Sequence, residues 1–131
     1  MDTASALGRT RRRRRAGSFG IERRTEVDGT TRLILRGELD MATQGNLREA
    51  LLAEQRAGTS VVVVLDQLDY LDSAGIGELL DGFERARRRG HGFAVTPGTG
   101  NVRRVLVISG VLGRLCGGTP HPGEPPRSPA D

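Results

Sequence analysis

Ser73 follows an acidic stretch that holds Asp66, Asp69 and Asp72, and it opens the run Ser73-Ala74-Gly75-Ile76-Gly77. A hydroxyl in that setting has three uses. It attacks a carbonyl or phosphoryl centre when a base takes its proton. It caps a helix by accepting a hydrogen bond from a free amide. Or it accepts a phosphate, which adds about −1.5 to −2 charge at neutral pH. Which of the three applies largely decides what the chain does.

A nucleophile needs a base within hydrogen-bond reach. The chain has two histidines, His91 and His121. The second lies in a Pro-rich tail, and the first follows a glycine at the far end of the helix that Ser73 begins. Asp40, Asp66, Asp69 and Asp72 are the carboxylates near Ser73, and no metal or oxyanion partner accompanies them. No Cys/His cluster has metal-ligand spacing. The sequence is therefore read as a non-enzyme with no cofactor and no metal site. Pro97-Gly98-Thr99-Gly100 precedes a helix, yet it lacks both the Lys-Ser/Thr of a P-loop and the full dinucleotide spacing. It reads as a tight strand-to-helix connection.

Gly75 and Gly77 shape the reading of Ser73. Two glycines in a first helical turn cost helix stability. They are useful if another surface must approach the turn closely. Tyr70, Leu71 and Ile76 surround the spot, so an apolar rim encloses a polar centre. That is the layout of a docking site.

The elements that must position Ser73 follow from periodicity. Phe19, Ile21, Arg23, Thr25 and Val27 alternate as in an edge strand, and Asp28-Gly29 is a hairpin turn. RLILRGEL makes the second strand. Thr43 or a neighbour caps a helix carrying Leu47, Ala50, Leu51 and Leu52, which ends at Gly58. Val61 to Leu65 is a β-branched run suited to a strand buried on both faces. The next helix places Ile76, Leu79, Leu80 and Phe83 inward and closes with Arg87, Arg88, Arg89 and Gly90. Gly82 lies inside it with no reason visible in the sequence. A short strand at 92–96 and a helix from Asn101 with Val102, Val105 and Leu106 inward complete the pattern. The order β-β-α-β-α-β-α predicts a single α/β domain. Its sheet is mixed and mostly parallel, with four to five strands, an antiparallel edge and about three covering helices.

Composition bounds the rest. The 131 residues suit one domain, and aromatic residues make up only 3%, so the core must be aliphatic. One cysteine, Cys116, excludes an internal disulfide framework. No apolar run reaches the length of a membrane span, no secretory leader is evident, and a cytoplasmic location is expected. Residues 1–16 carry six Arg and one Asp, a net +5, whereas residues 17–115 balance to zero and 116–131 carry −1. The predicted organisation is a disordered Arg-rich leader over 1–16, a domain over 17–115 and a disordered Gly/Pro-rich tail over 116–131. The run Arg11 to Arg15 could touch nucleic acid or an anionic surface, which keeps a nucleic-acid-associated protein as an alternative, but it reads first as a solvated leader and nucleic acid is not the expected partner. The neutral body leaves room for a weak homodimer.

LRGELDMAT (Leu35 to Thr43), DYLDSAGIGELL (Asp69 to Leu80) and NVRRVLVISGV (Asn101 to Val111) resemble the three landmarks of STAS domains. The likeness is greatest to bacterial anti-sigma factor antagonists and spans about residues 18–115. It implies that Ser73 is phosphorylated by a partner anti-sigma factor that is also a serine kinase, and that a phosphoserine phosphatase reverses this. It implies too that Asp40 lies beside Ser73, and that Asp40, Met41, Thr43, Tyr70, Asp72, Ser73, Ala74, Gly75 and Ile76 form the partner-binding face. The unphosphorylated form would bind the anti-sigma factor and release a sigma factor, in a stress or sporulation response. A second reading keeps the fold and makes the chain an adaptor docking on a transporter ATPase or a scaffold without phosphorylation. Ala74 stands where many members carry a second hydroxyl, so Ser73 is the one phosphorylatable group of the turn. The Arg-rich leader and the Gly/Pro-rich end depart from the family pattern.

Overall fold

The structure is a computed structural model and describes residues 19–117. The leader and all of the tail beyond Gly117 lie outside the described residues, and so does His121.

Strand β1 (Gly20–Thr25) and strand β2 (Thr31–Leu39) form the expected antiparallel hairpin. Its turn is closed by Gly29, which donates to the Glu26 carbonyl at φ 90°, and by the Asp28 carboxylate, which accepts from the Thr30 amide at 2.9 Å. Val27, the last residue of the alternating run, is in this turn and fully exposed. Helix α1 (Gln44–Arg56) leads to strand β3 (Val61–Val64), and strand β4 (Leu68–Leu71) leads to helix α2 (Ser73–Arg89). Strand β5 (Phe93–Val95), helix α3 (Gly100–Ile108) and the short helix α4 (Leu112–Gly117) follow.

The sheet runs β1-β2-β3-β5, with β4 paired to β2 off this path. Every pair except β1-β2 is parallel. Leu33, Leu35, Val61, Val63, Phe93 and Val95 point from one face into the core, where Leu47 and Leu51 of α1, Leu79 and Phe83 of α2, and Val102 and Leu106 of α3 meet them. The opposite face carries Arg32 and Arg36, with Glu22 pairing to Arg24 and Arg36. Val62 of β3 is half-buried there, in register with Arg32, whereas Val64 and its register partner Ile34 on the same face are buried, so the strand is covered on both faces except at Val62.

Strand β4 and helix α4 were not legible as separate elements. The stretch from Asp66 to Asp72 reads as an acidic loop, yet Leu68 and Leu71 are buried and the backbone between them pairs with the end of β2. Gly37, at φ 88°, makes this pairing available. The β2 register shifts between Gly37 and Glu38. A positive φ costs a non-glycine residue steric strain, and glycine takes it freely. Strand β2 therefore pairs with β3 over Thr31–Ile34 and with β4 over Gly37–Leu39. That change of partner brings the loop after β2 beside the loop before α2.

Candidate functional site

The carboxyl ends of β2 and β4 carry the site. Leu39 and Leu71 are register partners, so Asp40 and Asp72 leave two paired strands side by side. Such strand ends are where open α/β sheets gather functional groups.

Asp72 is the cap of α2. Its backbone is extended, and its Oδ1 accepts from the amides of Ala74 at 3.0 Å and Gly75 at 3.1 Å. Its carbonyl accepts from Ile76 N at 3.0 Å. Of the two capping candidates the carboxylate therefore holds the role, and Ser73 is the first helical residue, exposed and not needed to satisfy the turn. The same bonds engage two first-turn amides, so the helix end is not an open anion cradle.

Asp40 organises the neighbouring turn. Its Oδ1 accepts from the amides of Ala42 at 3.0 Å and Thr43 at 3.2 Å. Thr43 Oγ1 donates to the Glu38 carbonyl at 2.8 Å and accepts from Asp40 N at 3.0 Å. Thr43 is the N-cap residue of α1 by position, but its hydroxyl binds the preceding loop and makes no side-chain cap. Met41, at the tip of this turn, is 78% exposed, and Tyr70 of β4 is 43% exposed. Asp40, Thr43, Asp72 and Ala74 are half-buried.

Gly75 and Gly77 part company. A Cβ on Gly75 would sit 2.7 Å from Leu71 Cδ1, 2.8 Å from Leu39 Cγ and 2.9 Å from the Leu39 carbonyl oxygen. Gly75 is thus needed by the fold itself, because α2 starts in direct contact with the ends of β2 and β4. The reading that it clears room for an incoming surface is corrected on that ground. Gly77 meets nothing within 4 Å and does leave its face open. Ile76 is 8% exposed and belongs to the core.

The other candidates do not converge on Ser73. His91 follows the C-terminus of α2, and a 17-residue helix spans about 25 Å. It cannot serve as a base for Ser73. Asp66 accepts from Thr96 Oγ1 at 2.7 Å, and that oxygen in turn accepts from Leu65 N, so Asp66 ties the ends of β3 and β5 together. Gly98, in the loop before α3, is packed against Val102 and Leu65, which leaves no cradle for a phosphate there. Among the described residues no group of His, Cys, Asp or Glu is placed to hold a metal ion. Burial pushes the half-buried Cys116 thiol above its ordinary range, partly offset by Arg103. No helix among the described residues is long and apolar enough to cross a membrane.

Sequence reasoning missed the buried polar residues Glu54, Gln55 and Glu78. A signal existed for the last: Glu78, Gly82 and Arg85 fall on the inward stripe of α2, where an acid and a base seven residues apart can pair.

A family model described as "Mlab, STAS domain" matches residues 23–116. The fold is similar to an anti-sigma factor antagonist from Mycobacterium paratuberculosis, at 24% identity over 76% of this chain and 84% of that one, with a TM-score of 0.66. It is also similar to the anti-sigma factor antagonist SpoIIAA in its unphosphorylated form, at 23% identity over 74% and 85%, with a TM-score of 0.60. The phosphorylated form of the Bacillus cell fate determinant SpoIIAA matches at 21% identity over 76% and 88%, with a TM-score of 0.55. The mixed sheet, the Ser73 turn at its carboxyl edge and the match over residues 23–116 place this chain in the STAS domain family.

Proposed function

We propose that the chain is an anti-sigma factor antagonist whose Ser73 face docks on an anti-sigma factor and is switched off by phosphorylation of Ser73. The observation that carries the proposal is the division of labour between Asp72 and Ser73. The carboxylate caps the helix, so the hydroxyl is exposed and structurally spare. Two structures similar to this chain are SpoIIAA without and with phosphate, which supports a switch of this kind.

Met41 and Tyr70 supply exposed apolar area, and Asp40, Asp72 and Ala74 frame it. Thr43, Gly75 and Ile76 shape the turns from beneath. A phosphate on Ser73 would project next to two carboxylates, with the first-turn amides of Ala74 and Gly75 already engaged. Once a docked partner excludes water, two unit charges about 6 Å apart repel by roughly 3 kcal/mol at an effective dielectric near 20, against about 0.7 kcal/mol in water. A partner seated on the face would have to desolvate that charge as well. A penalty of about 3–4 kcal/mol weakens binding a few hundredfold. The scaffold need not move for the switch to work.

The expected partners are an anti-sigma factor with serine kinase activity and a phosphoserine phosphatase, in the cytoplasm. The test measures affinity of the purified anti-sigma partner for Ser73→Ala and Ser73→Asp, together with phosphate incorporation from ATP by intact mass. Ser73→Ala should bind as the parent chain does and gain no phosphate. Ser73→Asp should bind at least a hundredfold more weakly. Equal affinity of the two variants would refute the switch. An unmodified chain that binds a transporter ATPase instead would favour the adaptor reading.

A further inference from the structure

A polar network lies between α1 and α2, inside their otherwise leucine-rich contact. Glu78 is 1% exposed and Gln55 is 3% exposed. Glu78 Oε2 lies 3.0 Å from Arg85 Nη2, and its Oε1 lies 3.8 Å from Arg48 Nη1. Arg85 Nε donates to Gln55 Oε1 at 3.0 Å, and Gln55 Nε2 donates to the Gly82 carbonyl at 3.0 Å. Arg89 reaches the Gln55 carbonyl at the end of the seam.

Gly82 sits at the centre of this seam. A Cβ there would lie 2.8 Å from Leu51 Cδ1 and 3.2 Å from the Phe93 ring. The glycine lets the helices close together but gives them nothing to grip. The contacts 48 to 78, 51 to 82 and 55 to 85 ascend together, so the helices run parallel and the network fixes how far each has advanced along the other. Apolar attraction is non-directional, so the packing of Leu51 against Gly82 sets that register less sharply than directional hydrogen bonds do. A buried charge pair with its hydrogen bonds is satisfied at one register, which is the best-attested use of such groups.

The register has a consequence at the helix starts. Helix α1 begins after the Asp40 turn, and α2 begins at Ser73. We propose that the Glu78–Arg85–Gln55 network is a positioning device that sets the height of the Ser73 turn against the Asp40 turn. It acts through the body of α2. Its effect on docking rests on the reading of Ser73 as the switch, whereas its effect on the turn does not.

Replacing a buried ion network by apolar groups of similar volume often leaves stability unchanged or raises it. That separates positioning from mere stability. Native-state hydrogen exchange of the full chain is read at the amides of Ala74 and Gly75, with Val63 in β3 as the internal reference. In Gln55→Leu/Glu78→Met/Arg85→Met, exchange at Ala74 and Gly75 should rise at least tenfold relative to Val63, with an unchanged or higher urea midpoint. Should that variant not fold, Glu78→Gln is read in the same way against the same threshold. Turn amides whose exchange rises less than tenfold relative to Val63, or only in step with it, would overturn the proposal. A normal kinase reaction on the parent chain alongside that result would leave the Ser73 reading standing. A failed kinase reaction with the tenfold change present would do the reverse.

Discussion

The amide of Asp72 donates to the carbonyl of Leu39 at 3.3 Å, which ties the residue that caps α2 to the last residue of β2. One step further along each strand, the Asp72 and Asp40 carboxylates each close a turn by accepting two backbone amides. The site is thus two similar carboxylate-closed turns on neighbouring strands. Ser73 projects from one and Met41 from the other. Each turn is closed by hydrogen bonds local to it, and the Asp72–Leu39 bond joins the two.

Replacing the cap tests that frame. Asp72→Ala should cost about 1 kcal/mol, as loss of an N-cap carboxylate does, and Asp72→Asn should cost only a few tenths. Urea denaturation of both variants reads the difference. A cost for Asp72→Ala that is no larger than for Asp72→Asn would mean that the two amide bonds contribute nothing.

The two glycines of the first turn should respond in opposite directions. Gly75→Ala drives a methyl into Leu71, Leu39 and the Leu39 carbonyl, and overpacking of that kind costs about 1–3 kcal/mol. Gly77→Ala meets open space and should gain up to about 1 kcal/mol from helix propensity. If docking uses the open face at Gly77, the stabilised Gly77→Ala chain should nevertheless bind its partner more weakly. Thermal melts and partner titrations on the same two variants separate the roles.

The contrast shows where sequence reasoning reaches and where it stops. The span of α2, its Arg-rich end and its Gly90 terminus follow from periodicity and cap chemistry. So do the hairpin at Asp28-Gly29 and the placement of Ser73 at a helix start. These are local, and local preferences agree with the fold there. Strand β4 was hidden because its four residues show no alternation of their own: Leu68 and Leu71 are buried at the ends, with Asp69 and Tyr70 between them. Its pairing depends on a shift at Gly37, some thirty residues away. Gly82 was unexplained because its reason, the Leu51 side chain, lies on another helix. The role of Glu54 likewise depends on Arg23, which only the tertiary fold delivers.

Acid should weaken the fold through Glu54. Its carboxyl is held below the ordinary range chiefly by its hydrogen bond from Arg23, helped by Thr31 and opposed by burial. Because the folded state binds the proton less readily, the stabilisation is complete above the unfolded carboxyl value of 4.5 and is lost as pH falls through the lower folded value. Glu22 and Glu84 shift in the same direction through arginines, but both are at the surface, where salt screens such pairs. Stability followed from pH 6 down to 2.5 should drop less steeply in Glu54→Gln than in the parent chain. High salt should leave most of that difference in place.

Charge at residue 73 should change binding and spare the fold. Ser73 is exposed at the first position of α2, and the positive end of a helix favours an added anion by about 0.3–1 kcal/mol. The neighbouring Asp40 and Asp72 oppose it by a similar amount through solvent. The two effects should nearly cancel, so Ser73→Asp is expected within about 0.5 kcal/mol of the parent chain, as for surface substitutions generally. A melt and a partner titration on one preparation check both halves. A large loss of stability in Ser73→Asp would move the switch from electrostatic exclusion at an intact surface to local unfolding of α2, and the first-turn amides would then lose their exchange protection.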